Sequence, residues 1–266
     1  MPSHNYFSDI WALASIRLRL LLRQKLGWIS ILVGCLLVLL SLSISNVSFV
    51  NPQKIFWDFS LGIIFIFQVG LAVFLGSQLY HEERGRRTLH LILSAGVSRF
   101  QWICGNALGI WLGLTLMSAL WYLLTLGTSA IVFETDLAYM AFQAVLLMSL
   151  ETLIIILMSM FLSFILRQML GLAFSAILVV LLHSMGSIQR IFTDPQVGRF
   201  VDDNGVTAVM WAARLLPPLE WLDLKIFVGY ESSVGWGFMS QMIALALCWS
   251  ALLLSFSWLR FEKMDL

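Results

Sequence analysis

Charge is what this sequence has least of. Only 12% of its 266 residues are Asp, Glu, Lys or Arg, about half the share in soluble domains. That scarcity excludes a soluble enzyme, a disordered chain and a secreted disulfide scaffold. An excess of one sign is also missing. Sixteen basic and 15 acidic residues leave +1, too balanced for a protein that binds nucleic acid by releasing counterions, so no nucleic-acid partner is expected. Cysteine is sparse: Cys35, Cys104 and Cys248 sit singly in apolar runs with no CxxC or metal spacing, and read as buried thiols. There is no GxxxxGK[ST], HExxH or GxSxG, and His4, His81, His90 and His183 do not cluster. The chain is therefore expected to bind no cofactor or metal of its own and to perform no covalent chemistry. His183 stands alone near a helix end and reads as structural.

What fills the space is apolar: 60% of residues are hydrophobic, with 19 Phe and 11 Trp, and the mean hydropathy is +0.90. A spanning helix needs about 20 such residues to cross about 30 Å of hydrocarbon. Six stretches qualify, near Gly27–Ile44, Phe59–Tyr80, Asn106–Ile131, Tyr139–Ile165, Met169–Ser187 and Trp236–Leu259. The fourth carries Glu151, whose cost of roughly 3 kcal/mol is offset by neighbours returning roughly 0.3 to 0.6 each. An intramembrane carboxylate faces a bundle interior or a watery cavity and is a functional candidate by default. The alternative is a protonated Glu151 bonded to a Ser or Thr hydroxyl.

The basic residues orient the bundle. With the N-terminus inside, eleven fall inside (Arg17, Arg19, Arg23, Lys25, Arg84, Arg86, Arg87, Arg99, Arg167, Arg260, Lys263) and five outside (Lys54, Arg190, Arg199, Arg214, Lys225). Both termini are expected in the cytoplasm, and the chain is expected to be a multi-pass protein of the cytoplasmic (inner) membrane. Residues 1–26 are not a signal peptide, because Asp9 and four basic residues interrupt the apolar positions. Phe7, Ile10, Trp11, Ala14, Leu18 and Leu21 recur at helical spacing while Arg19 and Arg23 share another face. This predicts an amphipathic helix on the cytoplasmic surface, in contact with lipid. Residues 27–266 form the membrane domain. The fold class is thus an all-α membrane protein with six transmembrane helices, an N-terminal interfacial helix and a helical outer loop, residues 188–235, between helices five and six. In that loop Asp194-Pro195 and Asp202-Asp203-Asn204-Gly205 are turn signals, and Val206–Leu215 resumes a helical pattern ending at Pro217-Pro218.

Charge concentrates between the second and third spans, in the 81–101 element: His81-Glu82-Glu83-Arg84-Gly85-Arg86-Arg87-Thr88, then Leu89-His90-Leu91-Ile92-Leu93-Ser94-Ala95-Gly96-Val97-Ser98-Arg99. A short helix over Leu89–Leu93, flanked by charge and ended by Gly96, can press into a groove on a soluble partner. Pairing of Glu82 and Glu83 with Arg86 and Arg87 at helical spacing is the plainer reading. Glu82-Glu83 and Arg87 also match EExxxR of the CAAX-type intramembrane proteases, but the downstream FxxxH and HxxxN or HxxxD settings are absent. A third use is membrane anchoring or assembly, the loop recruiting a partner without transport. Gly105, Gly109 and Gly113 recur every fourth residue and bare one face of the third span, either for close packing within the chain or for a dimer seam.

At these residues the sequence resembles the permease subunit of a type 2 ABC exporter. The matching residues are Glu83, Arg86-Arg87-Thr88-Leu89, Leu91-Ile92-Leu93-Ser94 and Val97-Ser98-Arg99, and Leu216-Pro217-Pro218-Leu219-Glu220-Trp221-Leu222-Asp223-Leu224 resembles an element before the family's last helix. Gly96 and Gly105-Asn106 depart from the family pattern, which commonly has Pro and Gly-Lys there. The resemblance implies a dimer, as a homodimer or with a paralogue, and a separate ABC ATPase that holds ATP and Mg. It also allows an accessory protein on the periplasmic side. Glu82, Glu83, Arg86, Arg87, Thr88, Ser98 and Arg99 would couple to the ATPase, together with Trp11, Arg19 and Arg23 of the interface helix. Pro217, Glu220 and Asp223 mark the outer loop.

Overall fold

The computed structural model describes residues 6–23, 25–45, 51–133, 138–193, 210–211, 216–225, 228 and 234–264. The loop readings at Asp194-Pro195 and Asp202–Gly205, and all of Val206–Leu215 except 210–211, lie outside them. Among the described residues every regular element is helical. They are α1 (Tyr6–Arg23), α2 (Lys25–Ser45), α3 (Pro52–Gly85), α4 (Thr88–Ser94), α5 (Arg99–Val132), α6 (Ala138–Ser163), α7 (Gln168–His183), α8 (Met185–Thr193), a 3₁₀ turn (Leu219–Leu222) and α9 (Trp236–Glu262).

Helix ends fall where backbone chemistry sets them. Pro52 opens α3 at a position where its missing N–H costs nothing. Ser98 caps α5 and exchanges bonds with Gln101 in a capping box. Buried hydroxyls within the apolar helices fold back on their own chain. Ser41, Thr125, Thr152, Ser163 and Ser175 each donate to a carbonyl three or four residues earlier, which satisfies them where no water is available.

Among the described residues four helices, α3, α5, α6 from Tyr139 and α9, are long and apolar enough to cross a membrane. A fifth span results if α7 and α8 count as one, although they meet at a 52° bend. The fifth expected span, Met169–Ser187, is therefore interrupted at Ser184, and Ile188, expected in the loop, lies in α8. A Cβ on Gly186 would collide with the Glu220 carboxylate, so the bend brings α8 onto the 216–225 segment. α2 occupies the first expected position, and its stretch Leu32–Ser45 is a shorter apolar helix.

α6 is the hub. Its most apolar window is 72% buried against 22% for α9, and α3, α5, α7 and α9 all pack on it. The pairings fix direction. Gly76 lies against Ile156 and Ser159 and Tyr80 on Phe164, so α3 runs parallel to α6. Tyr139 meets Trp236 and Phe164 stacks on Phe261, so α9 does too. Trp111 donates to the Ser149 carbonyl while Trp102 meets Phe164, which makes α5 antiparallel. One end of the bundle thus gathers Arg84, Arg86, Arg87, Arg99, Arg167, Arg260 and Lys263, and is called the basic end below. Ile66 and Phe74 of α3, Phe174, Ile177 and Val180 of α7 and Leu252 and Phe256 of α9 remain outward and exposed, the surface a bilayer covers. Cys35 and Cys248 are exposed and only Cys104 is buried, because the first two point from apolar helices outward rather than into the core.

Candidate functional site

Two polar constellations interrupt the apolar bundle. The first is at the basic end, where α3 stops at Gly85. Arg87 adopts a left-handed φ of 59° and Gly96 a φ of +93°, so the chain turns sharply on both sides of α4. The seven-residue α4 matches the expected Leu89–Leu93 helix, with Leu89 buried and Leu91 69% exposed.

The charges divide between two directions. Glu82, Arg84, Arg86, Arg87 and His90 are exposed, and Glu82 pairs with Arg86 at 2.7 Å. Glu83 does not reach Arg87 as helical spacing suggested, because the helix ends between them. It turns inward, accepts a bond from Trp102 Nε1 at 2.7 Å and lies 3.8 Å from Arg17 of α1. Burial draws the Arg17 guanidinium below its ordinary pKa, with the Glu83 and Glu82 charges opposing. Thr88 Oγ1 donates to the Glu83 carbonyl and so ties α4 back to α3. Arg99 also points inward: its guanidinium donates to the carbonyls of Phe261, Glu262 and Met264, capping the last turn of α9, where a cation suits the helix dipole. Behind these contacts Tyr80, Trp102, Phe164 and Phe261 form one aromatic cluster joining α3, α5, α9 and the end of α6.

α1 closes this end. Methyl groups on Gly105 and Gly109 would lie 2.6 Å from Leu13 Cβ and 2.7 Å from both the Ala14 oxygen and Arg17 Cβ, and one on Gly113 would lie 3.0 Å from Leu21. The glycine stripe is therefore filled from within the chain, and α1 runs lengthwise along α5, parallel to it. Its expected apolar face divides, with Ala14 and Leu21 buried on α5 while Phe7 and Trp11 stay 85% and 65% exposed. Arg19 and Arg23 are exposed. Ser98, besides capping α5, meets the Tyr6 hydroxyl at 3.2 Å, and Gln101 donates to Asp9. Between α1, α3, α4 and α5 lies a cavity of about 240 Å³ lined by Arg17, Glu82, Glu83, Arg86 and apolar side chains of α1.

The second constellation surrounds Glu151, whose carboxylate is buried. Its partner is His183, with Nε2 2.6 Å from Oε1, rather than the Ser or Thr hydroxyl of the alternative reading, and His183 is not alone. The pairing follows from the α6–α7 hairpin. Gly171 sits against Ser163, and Glu151 and His183 each lie 16 residues from Arg167 at the turn, so both pairs are in antiparallel register. That equal spacing was available in the sequence, but only to a reader who already knew where α6 and α7 turn.

Nearby, Lys225 Nζ lies 3.0 Å from Asp223 and 3.1 Å from the centre of the Phe65 ring, and Phe65 packs edge-on against His183. Burial lowers the Lys225 pKa and Asp223 raises it. The Pro217–Leu224 motif buries Leu219, Leu222 and Leu224 against the bundle and leaves Trp221 exposed, while Glu220 faces Arg190 at 3.9 Å.

The structure brings Glu83, Thr88, Ser98 and Arg99 together with the glycine stripe at one end, and Glu151 together with Asp223 towards the other. Sequence reasoning missed Arg17, Trp102, His183 and Lys225 as partners. No curated protein matches the chain. The family model of ABC-2 family transporter proteins matches residues 39–259, which takes in α3 to α8 and α9 as far as Leu259 and leaves out α1 and the 261–264 carbonyls that Arg99 meets, and the chain therefore belongs to the ABC-2 transporter family.

Proposed function

We propose that this chain is the permease subunit of an ATP-driven exporter in the inner membrane, with both termini cytoplasmic. In this reading it crosses the membrane six times, forms its transport path as a dimer and holds no nucleotide. A separate ATPase subunit, which the family implies, binds ATP and Mg and engages the basic end. One observation carries the reading. α4 is presented outward between two sharp turns, while its flanks are tied by Glu83 to α1 and α5 and by Arg99 to α9. A push on α4 is thereby delivered to four helices at once. The outward residues Glu82, Arg86, Arg87 and Leu91 contact the ATPase, and the inward Glu83, Thr88, Ser98 and Arg99 pass the displacement on. Nucleotide shifts the bundle only if that surface binds its two states unequally.

Co-purification tests the partnership: an ATPase whose hydrolysis depends on this chain should accompany it. Arg87→Glu should leave the protein inserted and separate ATP hydrolysis from transport. Wild-type transport and ATPase activity in that variant would remove the claim.

A further inference from the structure

One aromatic ring, at the end of the bundle away from the basic residues, serves two basic groups. Lys225 Nζ sits 3.1 Å from the centre of the Phe65 ring, where the ring's negative face attracts a cation. His183 packs edge-on against the same ring, with the centroids 5.1 Å apart. Lys225 belongs to the 216–225 segment, Phe65 to α3 and His183 to α7, so three parts of the chain meet at this ring. Among the described residues the segment's other polar ties to the bundle are weak. The Asp223–Lys225 pair is internal to it, and Glu220 faces an exposed Arg190 at 3.9 Å, a class of contact worth little.

The protons beside the ring can be counted. His183 Nδ1 lies 3.1 Å from the Val179 carbonyl, which only accepts, so Nδ1 carries a hydrogen. Nε2 and Glu151 Oε1 are 2.6 Å apart, a distance at which two lone pairs would repel, so one proton lies between them. Whether written as imidazolium and carboxylate or as imidazole and carboxylic acid, the pair is neutral. Asp223 and Lys225 balance as well, and the whole cluster carries no net charge among apolar helices, where charge is costly. A second proton, taken from water onto the Glu151 carboxyl group or the imidazole, leaves a carboxylic acid beside an imidazolium, and the pair becomes +1. No free anion stands by to absorb that charge. α3 has no charged residue from Leu61 to Phe74, α6 has only Glu151, α7 only His183 and α8 only Arg190, while Asp223 is engaged by Lys225 and Glu220 faces Arg190.

We propose that Glu151, His183 and Phe65 form a proton-operated latch on the 216–225 segment. With one shared proton the ring holds Lys225 and the segment stays seated; with a second, the imidazolium repels Lys225 from the ring they share and the segment comes free. The coupling is reciprocal. The pair takes its second proton more readily once Lys225 has left, so acid favours the free segment and alkali the seated one. Leu219, Leu222 and Leu224, now buried, lose their cover in the free form. The latch does not rest on the permease reading; within that reading the segment lies outside, and the latch answers to the pH of the outer compartment.

The test uses the purified chain in detergent, with its native cysteines replaced and carrying either Leu222→Cys, at a buried position, or Trp221→Cys, at an exposed one. The maleimide labelling rate of the first relative to the second cancels the ordinary pH dependence of a thiol. That ratio should rise about tenfold from pH 8 to pH 5, the range in which imidazole ordinarily titrates. Glu151→Gln with His183→Gln removes both protonatable groups and should leave the ratio low and flat. Lys225→Met with Asp223→Asn removes the repelled cation and should flatten it too, so a loss of folding in one double variant leaves the other to decide. Phe65→Leu removes the seat and should raise the ratio already at pH 8. A flat ratio in the parent chain, an undiminished rise in either double variant, or a Phe65→Leu ratio no higher than the parent's at pH 8 would each overturn the proposal.

Discussion

A methyl group on Gly109 would meet the Ala14 carbonyl oxygen and Arg17 Cβ at 2.7 Å, whereas one on Gly62 or Gly127 would meet nothing within 4 Å. Overpacking of this kind costs about 1–3 kcal/mol, so Gly109→Val should lower thermal stability in detergent, while Gly62→Ala and Gly127→Ala should hold or slightly raise it. His183 poses the opposite problem, a group whose removal strands another. His183→Leu leaves the Glu151 carboxyl buried without its partner, a loss of about 3–5 kcal/mol for a broken buried pair. Adding Glu151→Gln should recover part of that loss, a non-additivity readable in thermal melts of the two single variants and the double. Arg87 supplies a control for the coupling claim. Glycine accepts its left-handed backbone freely, so Arg87→Gly removes the charge without disturbing the turn. It should impair coupling less than Arg87→Glu but more than a silent change. The glycine stripe and the buried acid were both legible as residue types, because each breaks a strong expectation about membrane helices. The partner of each was not, since partnership depends on where the chain turns.

Arg99 shows how an element can be held by a residue from another. Its Nη1, with two hydrogens, is shared among three carbonyls at the end of α9, and such charge-assisted bonds belong to a class worth about 1.5–3 kcal/mol each. Arg99→Met should let the last turn of α9 fray, seen as faster amide hydrogen exchange confined to residues near 260–264 with the rest of the helix unchanged. Uniformly unchanged exchange would show that the aromatic stack alone holds that end. Among the elements, α3, α5, α6 and α9 were readable because long apolar runs have few alternatives, and α4 was readable from its flanking charges and Gly96. α1 was legible as a helix but not in its attitude. An apolar stripe meets lipid and a glycine-lined helix equally well, and Ile10, Ala14 and Leu21 do not announce which they will meet. The bend after His183 escaped notice because Ser184 is a mild helix breaker, and its position is settled by the fit of Gly186 against Glu220.

At the level of the whole molecule, the basic end carries Arg84, Arg86, Arg87, Arg99, Arg167, Arg260 and Lys263, and the opposite end carries the 216–225 segment. In a variant whose native cysteines are replaced, Ala95→Cys should react with an impermeant maleimide only in inside-out vesicles, and Trp221→Cys only in right-side-out ones. Reaction of both from one side would overturn the orientation. The bundle is also bound by a counting constraint. Helix hairpins ordinarily tolerate changes in length at their tips, yet here Ser163 on Gly171 and Glu151 on His183 share one register. A single residue inserted between Gly171 and His183 would swing the imidazole about 100° around α7 and leave the carboxylate facing hydrocarbon. The hairpin therefore behaves as a ruler, and deletions or insertions along it should be selected against more strictly than substitutions at almost any one of its positions.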